Sequence, residues 1–331
     1  MIITKLLFLN MMQETLLKHI QEVLPKGSSL IEAVATALDM SYDAAHRRTS
    51  LKSKFSLEES VMLAQYYKVS LDRLFDTTDI NYVTVEKTKQ IKDETELKQY
   101  FEDSYHSLQP LLKEKQSHIL YSAKDIPLFY TIGTDLLSRF KIYVWLKLLD
   151  KSFSNKSFEQ FSPTVSLLKS AKALGELYKD LNTTEIWDIT TVNSTLKQIH
   201  FYNQAGLVSN ITAIDLCDAL KGLIKTIALK VDTDVSYKLY YNELLLMNNH
   251  VLVTTDNLQS LYVPFSILSY YQTSDKLTCK QAEEYLHLQL HNSKLLNTSG
   301  EREKRNFFNK INAKIEALQQ LIQAAELLDF E

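Results

Sequence analysis

The sequence predicts a mostly α-helical chain in two parts: a head of five short helices near the N-terminus, then a larger, predominantly helical α+β body. Three observations lead there. Apolar residues recur at intervals of three and four through most of the 331 residues, the period of a helix with one buried face. Serines that suit helix N-caps stand in front of several of those stretches. Only the short run at 118–123 and the stretch 250–273 break the pattern with strand-like composition. With 45% apolar and 23% charged residues the chain has the balance of a folded protein, and its length allows about two domains.

The head spans 12–76. Leu16, Leu17, Ile20, Val23 and Leu24 mark its first helix, which Pro25 and Gly27 end. Ser28 and Ser29 offer caps for the second, whose apolar face is Leu30, Ile31, Val34, Ala35 and Leu38. After Asp39 and Met40, Ser41 opens the third, with Asp43 in its first turn, where a carboxylate answers unpaired amides. Ser56 and Glu59 form a capping box for the fourth, which runs to Tyr67, and 70–75 supply the fifth.

Two short helices joined by a tight turn, inside such a set, resemble the DNA-binding domain of the phage-repressor-like (Xre, or lambda-repressor/Cro) family. The resemblance is carried by Val34, Ala35 and Leu38 on the second helix, by the turn Asp39-Met40-Ser41, by Ala45 inside the third helix, and by the pattern from Ser56-Leu57 to Val69–Leu74. Glycine is commoner at the turn, but aspartate tolerates left-handed backbone better than most residues. One position departs: Arg48 stands where a second apolar side chain is expected, so either the helix is rotated or shortened, or Leu51 takes the core role. The match covers less than a quarter of the chain.

The resemblance implies a recognition helix, 41–48, in the major groove of double-stranded DNA, with Ser41, Tyr42, Asp43, His46 and Arg47 outward. Arg47 would donate to guanine O6 and N7, and Ser41 or Tyr42 would contact phosphate or base. Asp43 would accept from cytosine or only complement the helix dipole. Arg48 is counted with these residues, and Lys52 and Lys54 are placed for phosphates. The whole chain carries −3, yet 41–54 hold four basic residues (Arg47, Arg48, Lys52, Lys54) against Asp43 alone. A homodimer is expected, because two heads on half-sites one DNA turn apart add their contacts.

Residues 77–116 read as a helical linker with a narrow stripe of Leu97, Phe101, Tyr105, Leu108, Leu111 and Leu112, suited to packing or to pairing with a twin. The body, 117–331, begins with a strand at 118–123. Helices follow at 136–149, 165–181, 191–205 and 214–229, then a β-hairpin or the edge of a small sheet within 250–273 and a final helix from Glu301 to about Leu328. Seven tyrosines crowd into 237–285 (Tyr237, Tyr240, Tyr241, Tyr262, Tyr270, Tyr271 and Tyr285), which suits either a ligand pocket or a plain core.

Several chemistries are excluded. There are six glycines, the nearest pair being Gly206 and Gly222, so neither a dinucleotide fingerprint nor a P-loop can be built. Cys217 and Cys279 form no CxxC, and two lone thiols fit a reducing cytoplasm. His287 and His291 share a helix face, but Leu288 stands where zinc peptidases carry their glutamate, so they read as half-exposed histidines. No serine lies in a GxSxG elbow. The expectation is therefore no enzyme, no cofactor and no metal. Residues 1–10 have too short an apolar stretch for a secretory signal and read as a frayed leader or the product of an upstream start codon. No run of about 20 apolar residues suggests a membrane span.

The expected function is a cytoplasmic, sequence-specific transcription regulator whose C-terminal body dimerises and senses a small-molecule or peptide effector. The alternative is a DNA-tethered scaffold that binds a protein or peptide.

Overall fold

A computed structural model describes residues 2–25, 27–71, 74, 83–114, 116–150, 153, 156–244, 246 and 248–327. The chain divides into two compact units, 1–84 and 85–331.

In the first unit, α1 (Ile2–Val23) takes in the stretch expected as a frayed leader. It is followed by α2 (Leu30–Leu38), α3 (Tyr42–Thr49) and α4 (Leu57–Tyr66). Three serines start the last three: the Oγ atoms of Ser29, Ser41 and Ser56 accept from the amides of Glu32, Ala44 and Glu59. Glu59 returns the favour to the Ser56 amide, completing the capping box. The core is Leu16, Leu17, Ile20, Val34, Leu38, Ala45 and Leu63, closed at its rim by Leu51, Phe55 and Tyr67. Tyr67 also donates its hydroxyl to the Ala33 carbonyl at 2.8 Å, tying the end of α4 to α2.

The second unit is organised by an eight-stranded mixed sheet in the order β1-β7-β6-β5-β2-β3-β4-β8. Its centre is parallel: β2 (His118–Ala123), β3 (Thr183–Trp187) and β4 (Tyr237–Asn242). The antiparallel strands β5 (His250–Thr254), β6 (Gln259–Ser266), β7 (Ser269–Thr273) and β1 (Glu86–Lys87) extend one side, and β8 (Ser293–Leu295) the other. Parallel neighbours need crossovers. α6 (Leu136–Leu149) and α7 (Val165–Lys179) join β2 to β3; α8 (Asn193–Gln204) and α9 (Asn210–Thr233) join β3 to β4.

Side chains alternate across the strands, so each face has its own core. Tyr121, Ala123, Trp187, Tyr237, Leu239 and Tyr241 pack in one cluster with Phe101 of α5 (Glu94–Leu108), with α6 to α9, and with Phe307 of α11 (Glu301–Leu327). Leu120, Leu252 and Leu261 face the other way onto Cys279 and Leu286 of α10 (Lys276–His291). Leu97 and Phe101 of α5, within the stretch read as a linker, are fully buried in the first of these cores.

The expected fold class is thereby corrected. The chain is α+β, built on a mixed eight-stranded sheet, where the sequence predicts a mostly α chain with a predominantly helical α+β body. Nor does the first unit show a clear five-helix arrangement among the described residues; half of 70–75, expected as its fifth helix, lies outside them. The physical reason for the shortfall in strands is length and burial. β1 and β8 are too short to show a period, and β3 is buried on both faces, which erases the alternation a half-exposed strand displays.

β3 also carries a carboxylate. Glu185 is fully buried, and its oxygens accept four hydrogen bonds: Tyr130 and Tyr178 donate to Oε1 at 2.8 Å, Trp187 Nε1 to Oε2 at 2.8 Å and Tyr237 to Oε2 at 3.0 Å. Burial pushes its pKa up, and the three phenol donors oppose that rise. One side chain thus joins the 3-10 turn at 128–130, α7, β3 and β4.

Candidate nucleic-acid interface

The sequence singled out 41–54, and the structure gives each residue there a definite place. Asp39 caps α2 in the left-handed conformation (φ 49°, ψ 49°). The Met40 amide reaches back to the Ala35 carbonyl at 3.0 Å, which turns the chain sharply into α3. Ala45 is fully buried and holds α3 against the core by its smallest face. The opposite face, with Tyr42, Asp43, His46 and Arg47, is exposed. Ser41 lies at the N-terminus of α3 with its Oγ engaged as the cap, which leaves its hydroxyl proton free to donate outward.

Arg48 does not join that exposed face. Its Nε donates to Glu59 Oε2 at 2.9 Å and its Nη2 to Oε1 at 2.6 Å, while Nη1 reaches the Ala44 carbonyl at 3.3 Å. The Arg48 hydrogen bonds hold the Glu59 carboxyl below the usual carboxylate range. The core role open at this point falls to Leu51, which adopts φ 59° and packs its side chain into the cluster.

Lys52 and Lys54 are exposed on the loop after α3. That loop is held by a residue sequence reasoning missed. Gln13 of α1 donates to the carbonyls of Arg48 (2.8 Å) and Ser53 (2.9 Å) and accepts from the Phe55 amide (3.2 Å). A polar residue on an otherwise amphipathic helix carried no signal for this, because its partners lie 35 to 42 positions away.

The basic residues therefore fall into two groups. Arg47, His46, Lys52 and Lys54 are presented outward on a helix and loop fixed from behind; Arg48 fixes them. Basic side chains in the last turn of a helix and on the loop after it offer what a groove edge needs: donors for base edges and cations for phosphates.

The other residues considered for chemistry lie in the second unit. His287 and His291 border an open cavity on the α10 side of the sheet, together with His118, whose Nε2 lies 2.9 Å from Thr184 Oγ1. Burial lowers the His118 pKa, and Lys238 nearby adds to the effect. Among the described residues no three His, Cys, Asp or Glu side chains converge as a metal site. Cys217 and Cys279 are free and buried, and burial pushes the Cys217 thiol up to about 11, which makes it a poor nucleophile. Among the described residues no helix is long and apolar enough to cross a membrane.

No protein-family model, curated protein or solved structure matches the chain.

Proposed function

We propose that the first unit binds double-stranded DNA through α3, reading base edges with its exposed face, and that the chain is a sequence-specific transcription regulator. One observation carries this reading: the α2–turn–α3 pair, with a left-handed Asp39 at the corner, buried Ala45 inside α3 and Arg47 outside it. A helix offered in this way fits the major groove, about 12 Å wide, with its N-terminal residues toward the bases. Arg47 is the residue suited to guanine, since its guanidinium is a two-pronged donor. Tyr42, Asp43 and His46 flank it, and Lys52 and Lys54 supply the phosphate contacts that set register and salt dependence. Two copies on two half-sites would add their contacts, so a homodimer belongs to the proposal. The second unit would hold the copies together or carry an effector site.

The test is enrichment of bound duplexes from a random pool by the full chain. Recovery of a motif with two related half-sites about one helical turn apart supports the proposal. Retention that vanishes at raised salt without enriching any sequence refutes base reading and leaves only a non-specific cationic surface.

A further inference from the structure

A cavity of about 410 Å³ lies within the second unit, between α5, the extended segment 86–91 and the sheet. Pockets of roughly 300–1,000 Å³ are the size that encloses small organic ligands. Its floor is one continuous face of the sheet: Tyr121 stands opposite Val251, Ile119 opposite Val253, and Val251 opposite Tyr262. Phe129 adds an aromatic side wall. Apolar side chains dominate the lining, Gln99, Ser104, Ser107 and Gln272 put polar atoms along its walls, and further polar groups gather in two places.

The first place is inside. Tyr100, Tyr121 and Tyr270 all line the cavity, and Tyr270 lies close enough to the other two to interact with them electrostatically. Burial raises the pKa of all three phenols, so they stay neutral and can both donate and accept. The second place is the mouth. Glu86, Glu96 and Asp103 bring three carboxylates there against Lys87 and Lys89, and Lys87 is turned onto the Phe265 ring, 5.1 Å from its centre. The electrostatics at the entrance thus disfavour an anion.

The segment 86–91 closes one side. It pairs with β7 through only two residues, Glu86 and Lys87, and is stapled by Thr88, whose amide donates to the Tyr270 carbonyl at 3.0 Å while its Oγ1 accepts from the Tyr270 amide at 2.8 Å.

We propose that this cavity binds a small, largely apolar molecule, neutral or singly positive, that carries one hydrogen-bonding group to the tyrosine hydroxyls. The site belongs wholly to the second unit and stands whether or not the first unit reads DNA.

The test is a fluorescence titration of the full chain with N-phenyl-1-naphthylamine, a neutral apolar probe with one N–H, followed by competition with octanol, octylamine and octanoate. The expected result is saturable binding of one probe per chain. Octanol and octylamine should displace it, and octanoate should be about tenfold weaker than octylamine because of the acidic mouth. Ser104 lines the cavity from α5, and Ser104→Trp should fill it and weaken the probe at least about tenfold. Gln272→Trp narrows the same space from β7 and serves where the first variant fails to fold. Tyr121→Phe, which keeps the shape, should weaken octanol about fivefold through one lost hydrogen bond. Absence of saturable binding overturns the proposal, as does equal affinity in wild type and a folded tryptophan variant. Octanoate displacing as well as octylamine overturns its charge assignment.

Discussion

Arg48 and Glu59 meet through two parallel hydrogen bonds, 2.9 and 2.6 Å long, with both side chains less than a quarter exposed. The pair spans the loop carrying Lys52 and Lys54, and Glu59 also completes the cap of α4. Removing either partner therefore loosens α3, the loop and α4 together. Arg48→Ala should destabilise the first unit by about 1–3 kcal/mol, the range for losing a charged hydrogen bond and stranding its partner. Arg47→Ala, fully outside, should stay within about 0.5 kcal/mol of wild type. Chemical denaturation followed by amide exchange in α3 and α4 separates the two; equal stability of both variants would contradict the assignment.

The same pair sets a pH dependence. The Glu59 pKa is lowered in the folded state, so its contribution is present above the unfolded carboxylate range, near pH 4.3, and is lost as pH falls through the folded value. Protection factors of the α3 and α4 amides, referenced to the intrinsic exchange rate at each pH, should fall on acidification from about pH 5 to pH 3. Glu59→Gln should be less stable at neutral pH and should flatten that response. An unchanged slope in the variant would show that other groups set it.

Glu185 is predicted to be the most sensitive polar position of the second unit. Glu185→Gln puts an amide nitrogen where two donors point, and a loss of about 2–4 kcal/mol is expected. Tyr130→Phe removes a single donor and should cost about 1 kcal/mol. Thermal unfolding measures both, and a larger effect from Tyr130→Phe would contradict the ordering.

Lys141 is buried on α6, donates to Gln198 Oε1 at 2.7 Å, and has its pKa lowered to about 8 by desolvation, with Asp125 opposing the fall. The unfolded chain binds this proton more readily, so the cost of burial is full below pH 8 and disappears as pH rises toward the unfolded value near 10.4. Lys141→Met should therefore be more stable than wild type by about 1–3 kcal/mol at pH 7, with the gap closing between pH 8 and pH 10. A gap that does not change with pH would mean that Lys141 is neutral throughout or as well solvated as in the unfolded chain.

Gly175 permits a close approach in α7. A Cβ there would sit 2.7 Å from the Ile132 carbonyl oxygen and 3.2 Å from that of Phe129, both backbone atoms that cannot swing away. Alanine ordinarily gains up to about 1 kcal/mol over glycine inside a helix. Gly175→Ala should reverse that sign, destabilising the second unit by about 1–3 kcal/mol through displacement of the 129–132 turn. Stabilisation by this substitution, seen in thermal unfolding, would show that the turn yields freely.

The head was more legible than the body, and the reason is range. The caps at Ser29, Ser41 and Ser56 act over three residues, so the pattern that builds them is written contiguously. Arg48 could not be placed from sequence because its partner Glu59 lies beyond a loop whose conformation depends on Gln13. In the body, a glutamate in the middle of Thr183–Trp187 argues against a core strand until Tyr130 and Tyr237, 55 and 52 residues away, supply the donors that make it acceptable there. The cavity was least legible of all: Thr88 and Tyr270, which join its strap to its floor, are 182 positions apart. Of the crowded tyrosines, Tyr262 and Tyr270 line that cavity, whereas Tyr237 serves Glu185 and Tyr241 packs on Phe307.

The central claim is that α3 reads bases through Arg47. The most direct measurement compares affinity for a selected duplex and for a scrambled one, at two salt concentrations, in wild type, Arg47→Ala and Lys52→Ala. The account predicts that Arg47→Ala loses about 1–3 kcal/mol of discrimination at one base position, while Lys52→Ala weakens both duplexes alike and reduces the salt slope by about one ion. If Arg47→Ala weakens both duplexes equally, or changes neither, α3 does not read sequence through that residue and the claim fails.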